Sequence, residues 1–236
     1  FIIHQLRFQL PGIFKAIEFL GEWFNFVMFR KYNKIIIPDI KYDLNLTGDL
    51  THSGKIAYHP KVHYLGVLCS VTKLDVEEDI DYLFSVSGPE IQRTLFEEII
   101  LNQINHIIGK KVVVLGKPED VQAYDNIENT EIYNHVNRQK QNELLNRAKF
   151  VICRSGYTTV MELVALKKPA LMIPTPGQTE QEYLAHYYKT IGLFHTAKQD
   201  GLDILDELNK IQYSVKPNMD HISINDTGTF KRLLSN

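Results

Sequence analysis

Several small and polar residues follow a buried-type strand in the middle of the chain and precede an apolar, helix-forming run. They are Arg154, Ser155, Gly156, Thr158 and Thr159. The N-terminus of a helix carries unpaired N–H groups and roughly half a positive charge, so it attracts phosphate groups. Glycine lets a ligand approach the backbone closely, while the hydroxyls add donors and the arginine adds a cation. The pattern is typical of a phosphate-binding turn.

The same stretch also fits a purely structural interpretation. Thr159 and Glu162 have the spacing of a capping box, in which the acid accepts a hydrogen bond from the N–H of the capping residue. Glu162 can instead accept hydrogen bonds from sugar hydroxyls, because an ionised carboxylate is only an acceptor. Spacing alone favours the capping box, and both interpretations stay open.

Two further turns carry small or polar residues at the ends of predicted strands. The first contains Gly88, followed by Pro89 in the first turn of a helix, where the missing N–H of proline costs nothing. The second lies between a strand and a helix that opens with Gln178, Glu180 and Gln181. Ligands of open parallel sheets bind beyond the carboxyl ends of the strands, although an ordinary turn and solvated polar residues also explain these patterns.

Apolar runs alternate with helix-like segments from Asp81 to about Ile211. The predicted strands are 81–87, 110–116, 131–136, 150–154 and 169–174, and the predicted helices are 91–108, 140–147, 158–166, 178–191 and 202–211. Strands that are apolar throughout indicate a parallel sheet covered on both faces. The sequence therefore predicts an α/β protein with a doubly wound, Rossmann-like C-terminal domain over 81–236.

The first part of the chain, 1–70, has the pattern of the end of another such domain, joined by a linker at 71–80. It predicts strands at 1–6 and 34–38, a helix at 10–32, a polar loop at 39–58 and an extended segment at 62–68. The chain begins with Phe1, without a methionine and in strand-like sequence. We therefore expect that an N-terminal part of this first domain is missing.

Aromatic residues are concentrated in the predicted helix between Phe14 and Phe29. Helices that are apolar on most faces are generally buried, so core burial is the favoured interpretation. The alternative is a helix that lies in a membrane interface near a lipid acceptor.

Composition excludes several function classes. The 236 residues carry a net charge of −2, and no basic block suggests nucleic-acid binding. Two cysteines form no disulfide framework, and the nine histidines lack the spacing of metal ligands, so we expect neither a metal nor a cofactor. No apolar run reaches the roughly 18 residues of a membrane span. The chain also lacks the GxSxG, Walker A and GxGxxG motifs.

Taken together, the motifs from Val151 to Gly192 resemble the C-terminal domain of the family 28 glycosyltransferases, which have the GT-B fold. The family pattern is a strand ending in S-R-[SAG]-G or C-R-S-G, a helix with T-x-x-E, then G-x-P-x-[LI]-x-[IV]-P and a Gln-rich helix start. The corresponding stretches here are "CRSG", "TVME", "KKPALMIP" and "GQTEQ". Residues 35–68 resemble the end of the family's N-terminal, acceptor-side domain.

The resemblance implies an inverting enzyme that transfers a hexosyl or N-acetylhexosaminyl group from a uridine diphosphate (UDP) sugar to a lipid or glycan acceptor in cell-envelope biosynthesis. Glu162 is expected to bind the ribose hydroxyls, and the N–H groups from Ser155 to Thr159 the diphosphate. The loop from Gly88 to Arg93 is expected to close over the diphosphate, with Arg93 as a counter-charge to it. The sugar hydroxyls are expected to be bound by Gln178, Glu180 and Gln181. We expect a cytoplasmic protein that can lie at the inner face of the membrane.

The sequence departs from the family pattern in two places. The loop that is rich in glycine in the family contains a single glycine here, Gly88. Lys168 stands at a position where the family usually has glycine. The family's candidate base lies in early N-terminal loops that this chain does not contain, so the catalytic residue is unassigned. Two other functions stay open. One is a non-catalytic donor-binding subunit or nucleotide-sugar-binding module that needs a partner chain, and the other is a sugar-nucleotide epimerase.

Overall fold

The computed structural model describes residues 2–6, 18–29, 31–41, 44–119, 124, 126–212 and 219. The chain forms two compact units. The first comprises Phe1–Ser70 with Met219–Asn236, and the second comprises Val71–Asn218. The residues that were predicted to be a linker therefore group with the second unit.

The first unit contains a pair of parallel strands, β1 (Ile35–Ile37) and β2 (Val62–Tyr64). Two helices, α1 (Glu18–Phe29) and α2 (Asp49–His52), and a 3-10 helix at Lys55–Tyr58 accompany them. The polar segment predicted as loop thus contains two short helices. Of the strand predicted at 1–6, the described residues 2–6 form a single parallel bridge, between Ile2 and Ile36.

Helix α1 exposes much of its aromatic surface. Trp23 is 65% exposed and Phe24 is 58% exposed, whereas Phe29 is buried beside β1. The prediction of core burial therefore holds for Phe29 and is wrong for Trp23 and Phe24, because only one side of the helix packs on the first unit's core. Phe14, the first residue of the predicted aromatic helix, lies outside the described residues. None of the described helices is long and apolar enough to cross a membrane.

The second unit is built on a six-stranded parallel sheet. Its strands are β3 (Ile80–Ser85), β4 (Lys111–Val114), β5 (Thr130–Tyr133), β6 (Ala148–Cys153), β7 (Ala170–Met172) and β8 (His195–Thr196). The helices are α3 (Gln92–Gln103), α4 (Arg138–Arg147), α5 (Tyr157–Leu166), α6 (Thr179–Thr190) and α7 (Ile204–Gln212). The predicted strands and helices are confirmed, and β8 is an additional strand that is too short to show a sequence pattern.

The strand order is β5-β4-β3-β6-β7-β8. The chain moves from β3 outward to β4 and β5, then returns to place β6 on the other side of β3. The order reverses between β3 and β6, and loops that leave such a pair in opposite directions open a crevice at its carboxyl end. The doubly wound topology therefore places a ligand crevice beside the ends of β3 and β6.

The core of the second unit is apolar and continuous. Phe84, Ile152 and Leu171 from neighbouring strands pack with Phe96 of α3 and Ile204 of α7, all of them buried. Burial of each such side chain stabilises the fold by roughly 1.5–3 kcal/mol. The strands that carry the site turns are therefore held in a rigid layer.

The segment that enters β3 is attached to the second unit by polar contacts. Lys168, the residue that departs from the family pattern, is buried and donates to Glu78 Oε1 (2.6 Å) and to the carbonyls of Asn146 and Ala148. Asp79 receives two hydrogen bonds from Arg147 at 2.7 Å, and these lower the pKa of Asp79 below its usual range. These contacts explain why residues from Val71 onward belong to this unit.

Candidate functional site

The three polar turns predicted from the sequence lie side by side in the second unit. They follow β3, β6 and β7, and β6 pairs with both of the other strands. Because all three strands are parallel, their carboxyl ends lie at one edge of the sheet. The turns after β3 and β6 flank the crevice where the strand order reverses.

Helix α5 begins with an N-terminus that no side chain caps. Its N-cap is Gly156, with φ −67° and ψ 137°, and a Cβ built on this residue would meet nothing within 4 Å. The first helical residue is Tyr157, so Thr159 lies within the first turn and Glu162 in the second. The capping-box interpretation is therefore wrong. The first N–H groups of the helix receive no acceptor from the capping residue, and the space in front of Gly156 is open.

Thr158 and Thr159 both lie in this first turn. Thr158 is exposed and Thr159 is partly buried. Both predicted hydroxyl donors therefore accompany the open N-terminus of α5.

Glu162 lies one turn further along α5 and is mostly buried, with 17% of its side chain exposed. Burial raises the pKa of this carboxyl, and the nearby Arg138 opposes that shift. The Arg138 Nη2 to Glu162 Oε1 distance is 3.6 Å, and the Arg138 side chain is largely exposed. Glu162 thus keeps acceptor capacity, which suits hydroxyl groups of a ligand.

Arg154 is the most deeply buried charged residue of the site, with 1% of its surface exposed. One guanidinium nitrogen donates to the carbonyl of Gln92 (2.8 Å), and another to those of Ile173 and Pro174 (both 3.3 Å). The guanidinium also lies 4.2 Å from the centre of the Phe96 ring. Burial lowers the pKa of Arg154 to about 10, so it remains charged at neutral pH.

These contacts correct the expectation that Arg154 supplies a cation to a ligand. Its guanidinium donates to carbonyl groups in the turn after β7 and in the first residue of α3, and so joins these two segments to the end of β6. In this arrangement Arg154 is a positioning residue, which holds the turns of the site in place.

Ser155 and Gln181 join the turn after β6 to helix α6. Ser155 is buried, and its hydroxyl donates to the Gln181 carbonyl at 2.8 Å. The Gln181 side chain accepts from the N–H of Thr175 (3.0 Å) and donates to Gln178 Oε1 (2.5 Å). Glu180, partly buried, lies in the first turn of the same helix. The structure therefore brings the predicted sugar-binding residues together and fixes two of them to each other.

Gly88 lies in the turn after β3, and Arg93 lies in the first turn of α3, which follows it. Gly88 has a φ of +115°, a conformation that favours glycine, and a Cβ there would lie 3.6 Å from Thr175 Oγ1. Arg93 donates to the Gly116 carbonyl at 2.7 Å and pairs with Glu90. The expectation that Arg93 is a counter-charge for a diphosphate is thus corrected, because protein acceptors already engage it.

Sequence reasoning missed three polar residues of this site. Arg138 faces Glu162, and Gln199 donates to Gln92 at 3.0 Å beside the Arg154 contact. Gln199 is buried, and its Oε1 has no hydrogen-bond partner among the described residues. Arg138 had a detectable signal, since a cation in the first turn of a helix opposes the helix dipole and calls for another partner. The glutamines had none, because they are 107 residues apart.

The arrangement can bind an anion at the α5 N-terminus and a hydroxyl-bearing group at Glu162. The backbone N–H groups supply fixed positive ends of dipoles, and they stabilise developing negative charge without moving. Among the described residues, no group of three or more His, Cys, Asp or Glu is placed to hold a metal ion.

Solved structures show the same fold. The calicheamicin glycosyltransferase CalG4 aligns with 93% of this chain and 54% of its own, with a TM-score of 0.57 and 14% identity. The glycosyltransferase SnogD from Streptomyces nogalater aligns with 78% of this chain and 53% of its own, with a TM-score of 0.54 and 11% identity. The chain therefore has the α/β fold of GT-B glycosyltransferases.

The sequence of the chain also identifies its family. The glycosyltransferase family 28 C-terminal domain matches residues 88–218, more than half of the chain, and spans all three turns. The chain belongs to this family.

Curated relatives match about half of the chain. Each is named UDP-N-acetylglucosamine–N-acetylmuramyl-(pentapeptide) pyrophosphoryl-undecaprenol N-acetylglucosamine transferase. The protein from Histophilus somni (strain 129Pt) is 31% identical over 123 residues, which is 49% of this chain and 34% of the relative. The one from Haemophilus ducreyi (strain 35000HP / ATCC 700724) is 32% identical over 129 residues, or 54% and 34%. The chain thus spans about a third of the length of these relatives.

We expect Arg154→Lys to destabilise the second unit by about 2 kcal/mol, because an ammonium group cannot reach both sets of carbonyls that the planar guanidinium joins. Urea unfolding of both proteins measures the loss. Arg138→Lys, the same change at an exposed position, is the control and should shift the unfolding free energy by less than about 0.5 kcal/mol. Equal unfolding midpoints for the Arg154 variant and the reference protein would show that the guanidinium does not join the turns.

Proposed function

We propose that this chain carries the donor site of an inverting glycosyltransferase that transfers a sugar from a UDP-sugar. The observation that carries the proposal is the uncapped N-terminus of α5 at the reversal of strand order, with Glu162 one turn away. The sugar is a hexosyl or N-acetylhexosaminyl group, and the name of the curated relatives favours N-acetylglucosamine. Residues 1–70 then represent acceptor-side sequence.

In this proposal the diphosphate lies against the first N–H groups of α5, in the open space before Gly156. Glu162 accepts hydrogen bonds from the ribose hydroxyls. The sugar hydroxyls contact Gln178, Glu180 and Gln181, and Gly88 belongs to the loop over the diphosphate. Arg154 holds the turns at their spacing and does not contact the donor.

The chemistry follows from the charge that develops when the bond between the sugar and the diphosphate breaks. Negative charge grows on the leaving diphosphate, and fixed N–H dipoles stabilise it more strongly in the transition state than before. The proposal assigns this stabilisation to the N-terminus of α5 and not to a metal ion.

Glu162→Ala should weaken UDP binding at least about 10-fold, since hydrogen bonds to a charged group contribute about 1.5–3 kcal/mol. Calorimetric titration with UDP measures the affinity. Glu98→Ala removes an exposed carboxylate from α3 and serves as the matched control, with no expected change. Unchanged UDP affinity in the Glu162 variant would refute the ribose assignment.

The pH dependence of binding tests the same residue. Burial raises the pKa of Glu162, so acidification protonates this carboxyl at a higher pH than it would an ordinary glutamate. Protonation removes acceptor capacity, so UDP affinity should fall as pH falls through that pKa. The stability contribution has the opposite sign, since a buried carboxylate costs stability above its folded pKa and the cost disappears below it. Glu162→Gln should flatten both dependences.

Gly156→Asp tests the helix N-terminus. An aspartate at the N-cap accepts hydrogen bonds from the first N–H groups, so the unfolding free energy should be kept or rise by roughly a few tenths of a kcal/mol. Its carboxylate would also occupy the place of the diphosphate, and UDP affinity should fall at least about 10-fold because like charges repel.

Two comparisons make the Gly156 result specific. Uridine, which lacks phosphates, should lose little affinity, and Gly156→Ser, a neutral cap, should lose less UDP affinity than the aspartate. Equal losses for UDP and uridine would point to a disturbed nucleoside site and would count against the anion assignment.

We further propose a lipid-linked acceptor and a cytoplasmic protein bound to the membrane surface through α1. The acceptor follows the pyrophosphoryl-undecaprenol in the name of the curated relatives. The exposed Trp23 and Phe24 form an apolar surface, and Lys31 and Lys34 follow the helix in sequence. Apolar area together with basic residues is what binds anionic bilayer surfaces.

Vesicle co-sedimentation measures the membrane contact. The intact protein should sediment with vesicles that contain anionic lipid, and a Trp23→Asp, Phe24→Asp double variant should remain in the supernatant. Ile108→Asp alters an exposed apolar residue of the second unit and should sediment like the reference protein. Absence of binding with and without anionic lipid retires the membrane proposal.

A further inference from the structure

The turn after β7 contains a buried hydroxyl group, that of Thr175. The residue is fully buried, and its Oγ1 has no hydrogen-bond partner among the described residues. A buried polar group without a partner costs free energy, and a valine of the same shape would avoid that cost. Proteins keep such groups rarely, and chiefly at functional sites. The hydroxyl of Thr175 therefore indicates a partner from outside the chain.

The Thr175 hydroxyl faces the turn after β3. A Cβ built on Gly88 would lie 3.6 Å from Thr175 Oγ1, which is ordinary van der Waals contact. Strand β6 lies between β3 and β7 in the sheet, so the two turns approach each other over the carboxyl end of β6. Residues 87–90 are exposed. The hydroxyl thus lies beneath an exposed turn that flanks the ligand crevice.

The backbone of Thr175 is tied to two of the residues that we assign to the sugar. Its N–H donates to Gln181 Oε1 at 3.0 Å, and its carbonyl accepts from the N–H of Gln178 at 3.1 Å. These two bonds hold the residue in place while its side chain faces Gly88. Thr175 therefore lies between the turn assigned to the diphosphate and the residues assigned to the sugar.

We propose that the Thr175 hydroxyl donates a hydrogen bond to the phosphate that carries the sugar in the donor. This inference rests on the proposed glycosyltransferase function and adds a residue to its site. An ionised phosphate oxygen only accepts, so the threonine is the donor of this bond. Glycine changes its backbone conformation easily, so a small displacement of the turn at Gly88 admits the phosphate.

The same hydrogen bond contributes to the transfer. When the bond between the anomeric carbon and the diphosphate breaks, the electron pair stays on the leaving phosphate oxygen. Negative charge grows on that phosphate and strengthens the hydrogen bond, while the threonine keeps its proton throughout. Burial excludes water that would compete for the phosphate, which makes the interaction stronger than at a solvated site.

Calorimetric titrations with UDP and with uridine monophosphate (UMP) test the proposal, because UMP lacks the phosphate that carries the sugar. Thr175→Val should lower UDP affinity about 10-fold, equal to about 1.4 kcal/mol, and leave UMP affinity unchanged. Thr175→Ser keeps the hydroxyl and should retain most of the UDP affinity. Unchanged UDP affinity in Thr175→Val would overturn the proposal, and so would equal losses for UDP and UMP.

Urea unfolding separates a binding role from a structural one. Removal of a hydroxyl that has no protein partner should leave the unfolding midpoint of Thr175→Val unchanged or raise it. A clear fall would reveal a partner within the protein and would also overturn the proposal.

Thr51→Val is the matched control. Thr51 is a buried threonine of the first unit, and its hydroxyl lies 2.5 Å from Thr47 Oγ1. This variant should lower the unfolding midpoint and leave UDP affinity unchanged. Failure of the unaltered protein to bind UDP would instead refute the proposed donor function, so the two failures are distinguishable.

Discussion

The candidate donor site depends on one buried cation. Arg154 follows the end of β6 and donates to carbonyl groups beyond β7 and at the start of α3, so it joins three segments that are far apart in the sequence. A buried guanidinium is costly unless its donors are used, and here carbonyl groups accept from both terminal nitrogens and the Phe96 ring faces the charge, while Nε has no hydrogen-bond partner among the described residues. Because these contacts fix the spacing of the turns, the crevice between them keeps its shape without a ligand.

The open helix N-terminus is a consequence of the same arrangement. Arg154 and Ser155 direct their side chains to the turn after β7 and to α6, and Gly156 has no side chain. None of the three caps α5, although a polar cap would stabilise it by about 1 kcal/mol. Proteins tolerate such local losses chiefly at functional sites, where the unpaired groups serve a ligand.

Much of the second unit was predictable from its sequence, because strands covered on both faces are apolar throughout and short polar turns separate them from helices. The start of α5 was less predictable. Thr159 and Glu162 have capping-box spacing, but the helix begins at Tyr157 because the contacts of Arg154 and Ser155 determine where the turn ends.

The directions in which side chains point were not predictable from the sequence. Nothing in the sequence shows that Arg154 and Arg93 turn toward carbonyls, or that Trp23 lies on the exposed side of α1. The pairing of Asp39 with His52, 13 residues apart, depends on a loop whose shape the polar pattern does not specify. Composition and the period of the hydrophobic pattern constrain which residues are buried, whereas tertiary contacts set the direction of each side chain.

Asp39 and Glu162 differ in how many hydrogen bonds the protein provides to their carboxylates. Asp39 receives donors on both oxygens from backbone, hydroxyl and imidazole groups, so little acceptor capacity remains for a ligand. Glu162 makes one long ion pair with an exposed arginine within the described part of the chain. Its desolvation is therefore poorly compensated, which is why its pKa is raised. In the proposed donor site, hydroxyl groups of a ribose would supply the missing hydrogen bonds, so the incomplete hydrogen bonding of Glu162 would favour binding of the donor.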